Sequence, residues 1–190
     1  MKTNKPYVFS VLQVPEDLRA RVLQEWSAQH SDDWFNIDTS REKFAKALKD
    51  TRTYHLRIPD VPKESRTSTS STKDILACRD TALFQNFPSV RSLIDWAAFS
   101  SVGAPWGTLG RVFITRLSAD SCIGRHTDEG LYFSSLHRHH FVLSDSVSMF
   151  HWEGYSHSFS RGDLCLVNNS IPHWVENRGP DRTHLIFDAA

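Results

Sequence analysis

The feature that most restricts the fold is a change of period after Gly103-Ala104-Pro105. Beyond it, short apolar runs alternate with turn residues: Arg111–Leu117, Leu136–Leu143, Val147–Trp152, Tyr155–Phe159, Asp163–Asn168, His173–Val175 and Thr183–Asp188. Gly154, Gly162 and Gly179 punctuate these runs. Many short strands at this spacing predict an antiparallel barrel or jelly roll. The preceding half reads as mainly helical. Pro15–His30 opens with Pro and two acids, and Leu18, Val22 and Trp26 recur at helical spacing. A second short helix fits Arg41–Lys49, with Phe44 and Leu48 on one face. Thr51–Ile58 alternates as a strand, and residues 74–100 read as two helical segments broken near Pro88. Helices first and strands later predict an α+β layout. Residues 1–190 are expected to form one domain, with 1–105 mainly helical support and 106–190 the β core.

Composition narrows what such a chain does. Its 22 basic and 22 acidic residues balance, which argues against a nucleic-acid footprint or a polybasic membrane patch. Twelve Phe and six Trp favour a packed core with an aromatic-lined pocket. Cys78, Cys122 and Cys165 are too few and too scattered for a disulfide framework, and no C-x-x-C occurs. No long apolar segment opens the chain or lies within it, so a soluble, cytoplasmic protein is expected. Residues 59–73, rich in Pro, Ser, Thr and charge, predict a surface loop, either a binding lid or an idle insertion.

The residues that carry chemistry lie in the second half. His126-Thr127-Asp128 is an H-x-D pair, and His173 follows at a distance. Residues two apart on a strand face the same way, so His126 and Asp128 can converge on one ion. Two neutral imidazoles and one carboxylate occupy one face of an octahedral ion and leave the other open, the pattern of non-haem Fe(II) oxygenases. On its own H-x-D is common, and the plainer reading is a hydrogen-bonded pair on a surface turn.

Read in order, the second half resembles the aspartyl/asparaginyl β-hydroxylase-like family of Fe(II)- and 2-oxoglutarate-dependent dioxygenases. The resemblance runs from about Gly110 to Asp188 through R-V-F-I-T-R-L, I-G-R-H-T-D, H-R-H-H-F-V-L, R-G-D-L-C-L-V-N-N-S-I-P-H-W-V-E-N and R-T-H-L-I-F-D. It implies a double-stranded β-helix, a cupin-like jelly roll buttressed by the N-terminal helices. It implies iron bound by His126, Asp128 and His173, with 2-oxoglutarate and O2 as co-substrates. Animal peptidyl aspartyl hydroxylases have glycine where this chain has Asp128, whereas bacterial proline hydroxylases with a similar core keep the acid.

The family's R-x-H element maps onto Arg138 and His140, and its late arginine onto Arg182. Both elements are implied to lie beside the 2-oxoglutarate, with Arg182 on the C5 carboxylate and Thr115 adding a hydroxyl. A buried carboxylate calls for a charge-assisted and preferably bidentate partner, which arginine's planar fork supplies. The plainer readings are that Arg182 pairs with Asp181 or Asp163 and that His140 is a core histidine. His137 and His139 are expected to face outward by strand alternation, and His151, His157 and His184 to be structural or superficial. Asn168 and Asn169 are expected to bond the turn that presents His173 or to cap it.

The expected reaction is hydroxylation of an unactivated carbon of a free, carrier-bound or peptidyl amino acid. Trp106, Tyr54 and His55 are the candidate substrate contacts. The alternatives are a proline-type free amino acid hydroxylase and a non-oxygenase metal-dependent cupin enzyme.

Overall fold

The computed structural model describes residues 8–29, 48, 50–60 and 71–190. The expected helix at Arg41–Lys49 and most of the 59–73 loop lie outside these residues. Among the described residues the strands form two antiparallel sheets. The larger runs in the order β1 (Val8–Leu12), β9 (Leu164–Val167), β6 (His137–Val142), β11 (Arg182–Ala189), β4 (Leu109–Leu117), β2 (Thr51–Pro59), β3 (Cys78–Asp80). The smaller runs β5 (Cys122–His126), β10 (His173–Asn177), β7 (Ser148–Trp152), β8 (Tyr155–His157). This is the expected jelly-roll core.

Alternation along the strands gives the large sheet two different faces. On β11, Leu185, Phe187 and Ala189 point to one side. Val112 and Ile114 of β4 and Tyr54 and Leu56 of β2 join them there. Helices α1 (Glu16–Gln29) and α3 (Pro88–Val102) cover that face with Leu18, Val22, Trp26, Val90, Leu93, Ile94 and Ala97. Full burial of a Leu, Ile or Phe side chain contributes about 1.5–3 kcal/mol, so this layer anchors the sheet. Pro88 opens α3, and the Glu25 carboxylate of α1 accepts from the backbone N–H of Ser89 (3.0 Å) and Val90 (3.2 Å). One side chain thus supplies the capping acceptor that Phe87 lacks and ties the two helices together. Between the sheets, Leu117, Val142, Phe150, Trp152, Phe159 and Val175 fill one end. The other end carries polar side chains.

The first half is less purely helical than expected. It supplies β1, β2 and β3 to the large sheet, because β1 pairs with β9 and β2 with β4. The stretch read as two helices over 74–100 is a short helix α2 (Thr72–Leu76), strand β3, a 3-10 turn (Ala82–Asn86) and α3. Partners remote in sequence make the difference. Cys78–Asp80 is a strand because β2 lies beside it, where Arg57 and Asp80 pair across the strands at 2.5 Å. His139 departs from expectation too. It shares the outward face with His137, but α3 and the segment after it cover that face. His139 is therefore buried, stacked on Phe187 (centroids 4.6 Å) and beside Trp106 (5.3 Å).

Candidate active site

His126 is the last residue of β5 and His173 the first of β10, and the two are direct cross-strand partners. Their ring centroids lie 4.4 Å apart. Each ring is held by its Nδ1: His126 to the Gly124 carbonyl (2.8 Å) and His173 to the Ile171 carbonyl (3.0 Å). An Nδ1–H donated in this way leaves Nε2 with its lone pair free, the arrangement of metal-binding histidines. Burial pushes the His173 pKa down, which keeps the imidazole neutral.

Asp128 stands two residues beyond β5, in a loop, so shared strand facing is not what directs it. Its backbone N–H donates to the Asn169 carbonyl (3.0 Å). Its Oδ2 accepts from Asn169 Nδ2 (2.9 Å) and Arg138 Nη1 (2.7 Å). Burial alone would raise its pKa. The Arg138 charge and the Asn169 hydrogen bond outweigh that and hold the carboxyl at about 2. Gly130, at φ 101°, then turns the chain into α4 (Leu131–Ser135), a conformation that side chains with a Cβ rarely adopt.

Among the described residues no three His, Cys, Asp or Glu side chains are drawn together as a ready-made metal cage. Asp128 Oδ1 lies 3.9 Å from His126 Nε2. One ion with bonds of about 2.0–2.2 Å bridges donors up to roughly 4 Å apart, so this pair is within reach of a single ion. The donor set fits a divalent metal that takes imidazole and carboxylate.

The large sheet supplies the opposite wall of the same cavity: Thr51, Thr115, Arg138, His140 and Arg182. Arg182 is fully buried, yet among the described residues no carboxylate pairs with it. It donates from Nε to His184 Nε2 (3.0 Å) and stands over the Phe150 ring (4.6 Å). Burial lowers its pKa to about 9. The plainer partners are engaged elsewhere. Asp181 accepts from Ala119 N–H (2.8 Å) and lies 3.5 Å from Arg116, while Asp163 accepts from Ser160 N–H (2.8 Å). Burial, reinforced by the Arg182 charge, holds His140 and His184 well below the usual histidine pKa. His140 Nε2 is a buried atom with no hydrogen-bond partner.

Arg138 lines the cavity, but its guanidinium is already engaged. It donates to Asp188 through Nε (2.7 Å) and Nη2 (3.0 Å), and to Asp128 through Nη1. It is a carboxylate holder rather than an open cation for a co-substrate. The candidate substrate contacts are not in this cavity. Tyr54 faces the helix-covered core. Trp106 packs against that core and donates its Nε1–H to the Ile94 carbonyl (3.1 Å). His55 stands against Phe113 (centroids 5.9 Å), beyond the cavity wall. β2 does reach the cavity, through Thr51 instead. Two residues with a clear place here have no distinct role in the sequence, His184 beside Arg182 and Asp188 on Arg138, and Asn169, expected only to bond or cap the turn before His173, holds Asp128. Their signals were present as alternation with Arg182 on β11 and as the N-N turn before His173.

The fold agrees with that of known proteins. The chain superposes on an oxidoreductase of the 2OG-Fe(II) oxygenase family from Burkholderia pseudomallei at TM-score 0.52 and 15% identity, covering 74% of this chain and 67% of that one. It superposes on a Pseudomonas putida prolyl-4-hydroxylase at TM-score 0.51 and 14% identity, covering 95% and 90%. At such identities the likeness concerns the fold. No curated protein sequence matches the chain. The model of the aspartyl/asparaginyl β-hydroxylase family matches residues 76–190, well over half the chain and the stretch that holds both histidines, Asp128 and Arg182. The chain therefore belongs to the aspartyl/asparaginyl β-hydroxylase family, hydroxylases that take Fe(II), 2-oxoglutarate and O2.

Proposed function

We propose that this protein hydroxylates an unactivated carbon of an amino acid, free, carrier-bound or within a peptide. In this reading His126, Asp128 and His173 hold the iron and Arg182 anchors the C5 carboxylate of 2-oxoglutarate. The observation that carries the reading is Arg182: a wholly buried guanidinium, without an acidic partner among the described residues, facing a cavity whose other wall presents two imidazole Nε2 atoms and a carboxylate. A buried cation of this kind is costly by itself and is matched by an anion that enters the cavity.

Bound iron and 2-oxoglutarate would supply the oxidising power for insertion of oxygen into the substrate C–H bond, with 2-oxoglutarate lost as succinate and CO2. The chain supplies ligands in the right protonation state, orientation and dryness. Asp128 is ionised and His173 neutral near neutral pH, so binding a metal displaces no proton from either. Arg138 and Asn169 fix the Asp128 carboxylate. Neutral His140 and His184 flank Arg182 without adding a competing positive charge. Thr115 presents a hydroxyl to the same wall. The family description supports an aspartyl or asparaginyl substrate, and the shape shared with a prolyl hydroxylase supports proline as the second choice.

The test is Arg182→Met. Truncating the partner of a buried charge costs about 2–5 kcal/mol, so 2-oxoglutarate binding is expected to weaken at least roughly thirtyfold. Metal binding, followed separately by calorimetry, is expected to stay unchanged. Equal 2-oxoglutarate affinity in variant and wild type would overturn the assignment. Incubation of the wild type with amino acids and peptides, read by mass spectrometry as a gain of one oxygen, identifies the substrate.

A further inference from the structure

A second cavity begins one residue after Asp128. Its volume is about 540 Å³, inside the range of roughly 300–1,000 Å³ usual for small-molecule sites. Pro59, Ile75 and Leu131 form its apolar walls, and Arg111, Tyr132 and Phe133 its inner end. Glu129, exposed, sits at its edge.

Arg111 is the informative residue. Its guanidinium lies over the Tyr132 ring (4.3 Å) and near the Phe133 ring (5.1 Å), which fixes its plane. Its Nε and Nη2 are buried and, among the described residues, have no hydrogen-bond acceptor. The nearest acid, Asp188, is 3.4 Å from Nε, too far for a good hydrogen bond. Both Asp188 oxygens are also taken. Oδ1 accepts from Arg138 Nε (2.7 Å), and Oδ2 from Arg138 Nη2 (3.0 Å) and the Tyr132 hydroxyl (3.0 Å). Asp188 therefore attracts Arg111 without satisfying it. The side chain stays 21% exposed and lines the cavity. Gly110 is part of the construction. A Cβ there would meet the Tyr132 hydroxyl at 2.4 Å, so glycine allows Tyr132 to accept from Arg111 N–H (2.8 Å) while donating to Asp188.

We propose that this second cavity binds a carboxylate of the substrate, with Arg111 as its anchor. The inference deepens the hydroxylase reading above and rests on it for the word substrate. A chain of ion pairs, Arg111–Asp188–Arg138–Asp128, links the anchor to the candidate metal ligand, so a molecule held here lies beside the first cavity. The carboxylate belongs either to an acidic side chain or to the α-carboxylate of a free amino acid. In the second case Glu129 at the cavity edge faces the ammonium group.

The experiment titrates two matched pairs into the Fe(II)-loaded protein, without O2, by calorimetry. Acetyl-Ala-Asp-Ala-amide against acetyl-Ala-Asn-Ala-amide tests a side-chain carboxylate, and L-leucine against L-leucinamide an α-carboxylate. In at least one pair the carboxylate member is expected to bind the wild type tenfold or more tightly than its amide, and Arg111→Gln is expected to erase the difference. The pair that responds identifies the source. No difference in either pair, or a difference that survives in Arg111→Gln, overturns the proposal. Should Arg111→Gln fail to fold, modification of arginine in the wild type by phenylglyoxal, mapped by mass spectrometry, replaces it. Protection of Arg111 by the responding carboxylate supports the proposal, and no protection overturns it. Titration with 2-oxoglutarate alone separates the two failures. If 2-oxoglutarate does not bind while a carboxylate member does, the hydroxylase reading fails and the site stands. If 2-oxoglutarate binds and neither pair discriminates, only the site fails.

Discussion

Arg138 and Arg182 are both buried arginines on the inner face of the large sheet, yet their surroundings are opposite. Arg138 is enclosed by two carboxylates, Asp188 and Asp128, and their charges outweigh burial and push its pKa above the ordinary arginine value. Arg182 has an imidazole and a phenyl ring for neighbours, and burial pulls its pKa down to about 9. Of two identical side chains at equal depth, one completes the protein's own charge balance and the other has no acidic partner among the described residues. Arg111 is an intermediate case, close to an acid whose oxygens are already engaged.

The largest expected effect sets the two arginines against each other. Arg138→Met leaves Asp188 and Asp128 buried without their cation and is expected to cost about 3–5 kcal/mol of stability in urea unfolding of the metal-free protein. Arg182→Met removes a buried charge that has no acidic partner among the described residues and is expected to be neutral or stabilising in the same measurement. Equal losses in both would erase the distinction.

The pH dependence sharpens it. His140 and His184 have folded pKa values well below the ordinary 6.5. Below about pH 6.5 the unfolded chain takes up protons that the fold refuses. Stability is therefore full above that pH and falls by about 1.4 kcal/mol per pH unit for each histidine, roughly 2.7 for the two. Arg182 is one cause of both depressions, after burial. Arg182→Met is thus expected to lose less stability in total, with the onset unchanged and the loss complete at a higher pH. Asp188 also loses stability on acidification, but at lower pH. Arg138 and Arg111 outweigh burial and lower its folded pKa, so its stabilisation persists through this window and is lost only in stronger acid. An acid limb that is unchanged in Arg182→Met would count against a charged Arg182 beside these rings. The smallest effect concerns what steadies Asp128. Asn169→Ala removes one of its two side-chain donors, and metal affinity measured by calorimetry is expected to drop about 10–100-fold with little change in 2-oxoglutarate contacts.

The strand-rich second half is legible because period-two alternation and glycine turns are local signals. The strand Cys78–Asp80 is not, since a partner strand makes it one. Tyr54, His55 and Trp106 were chosen as substrate contacts for their chemistry. The positions of Tyr54 and His55 depend on which face of β2 the helices cover, and that of Trp106 on how the segment after α3 packs on the same core. Alternation sets His139 opposite in facing to His140, but whether the outer face meets water or a helix is not a property of the strand. His184 was set aside because nothing local distinguishes it from His151. It matters because β11 carries it into the same interior as Arg182.

The residues alone determined the kind of fold and the inventory of donors: alternating apolar runs can bury themselves only as paired strands, and imidazole and carboxylate carry their coordinating chemistry wherever they sit. Only the tertiary structure decided which donors meet. It set His126 opposite His173, drew Arg138 onto two acids, and left Arg182 without one among the described residues. The reason is physical. The charge state and reach of a buried group depend on neighbours distant in the chain, and cross-strand register, not local spacing, chooses those neighbours.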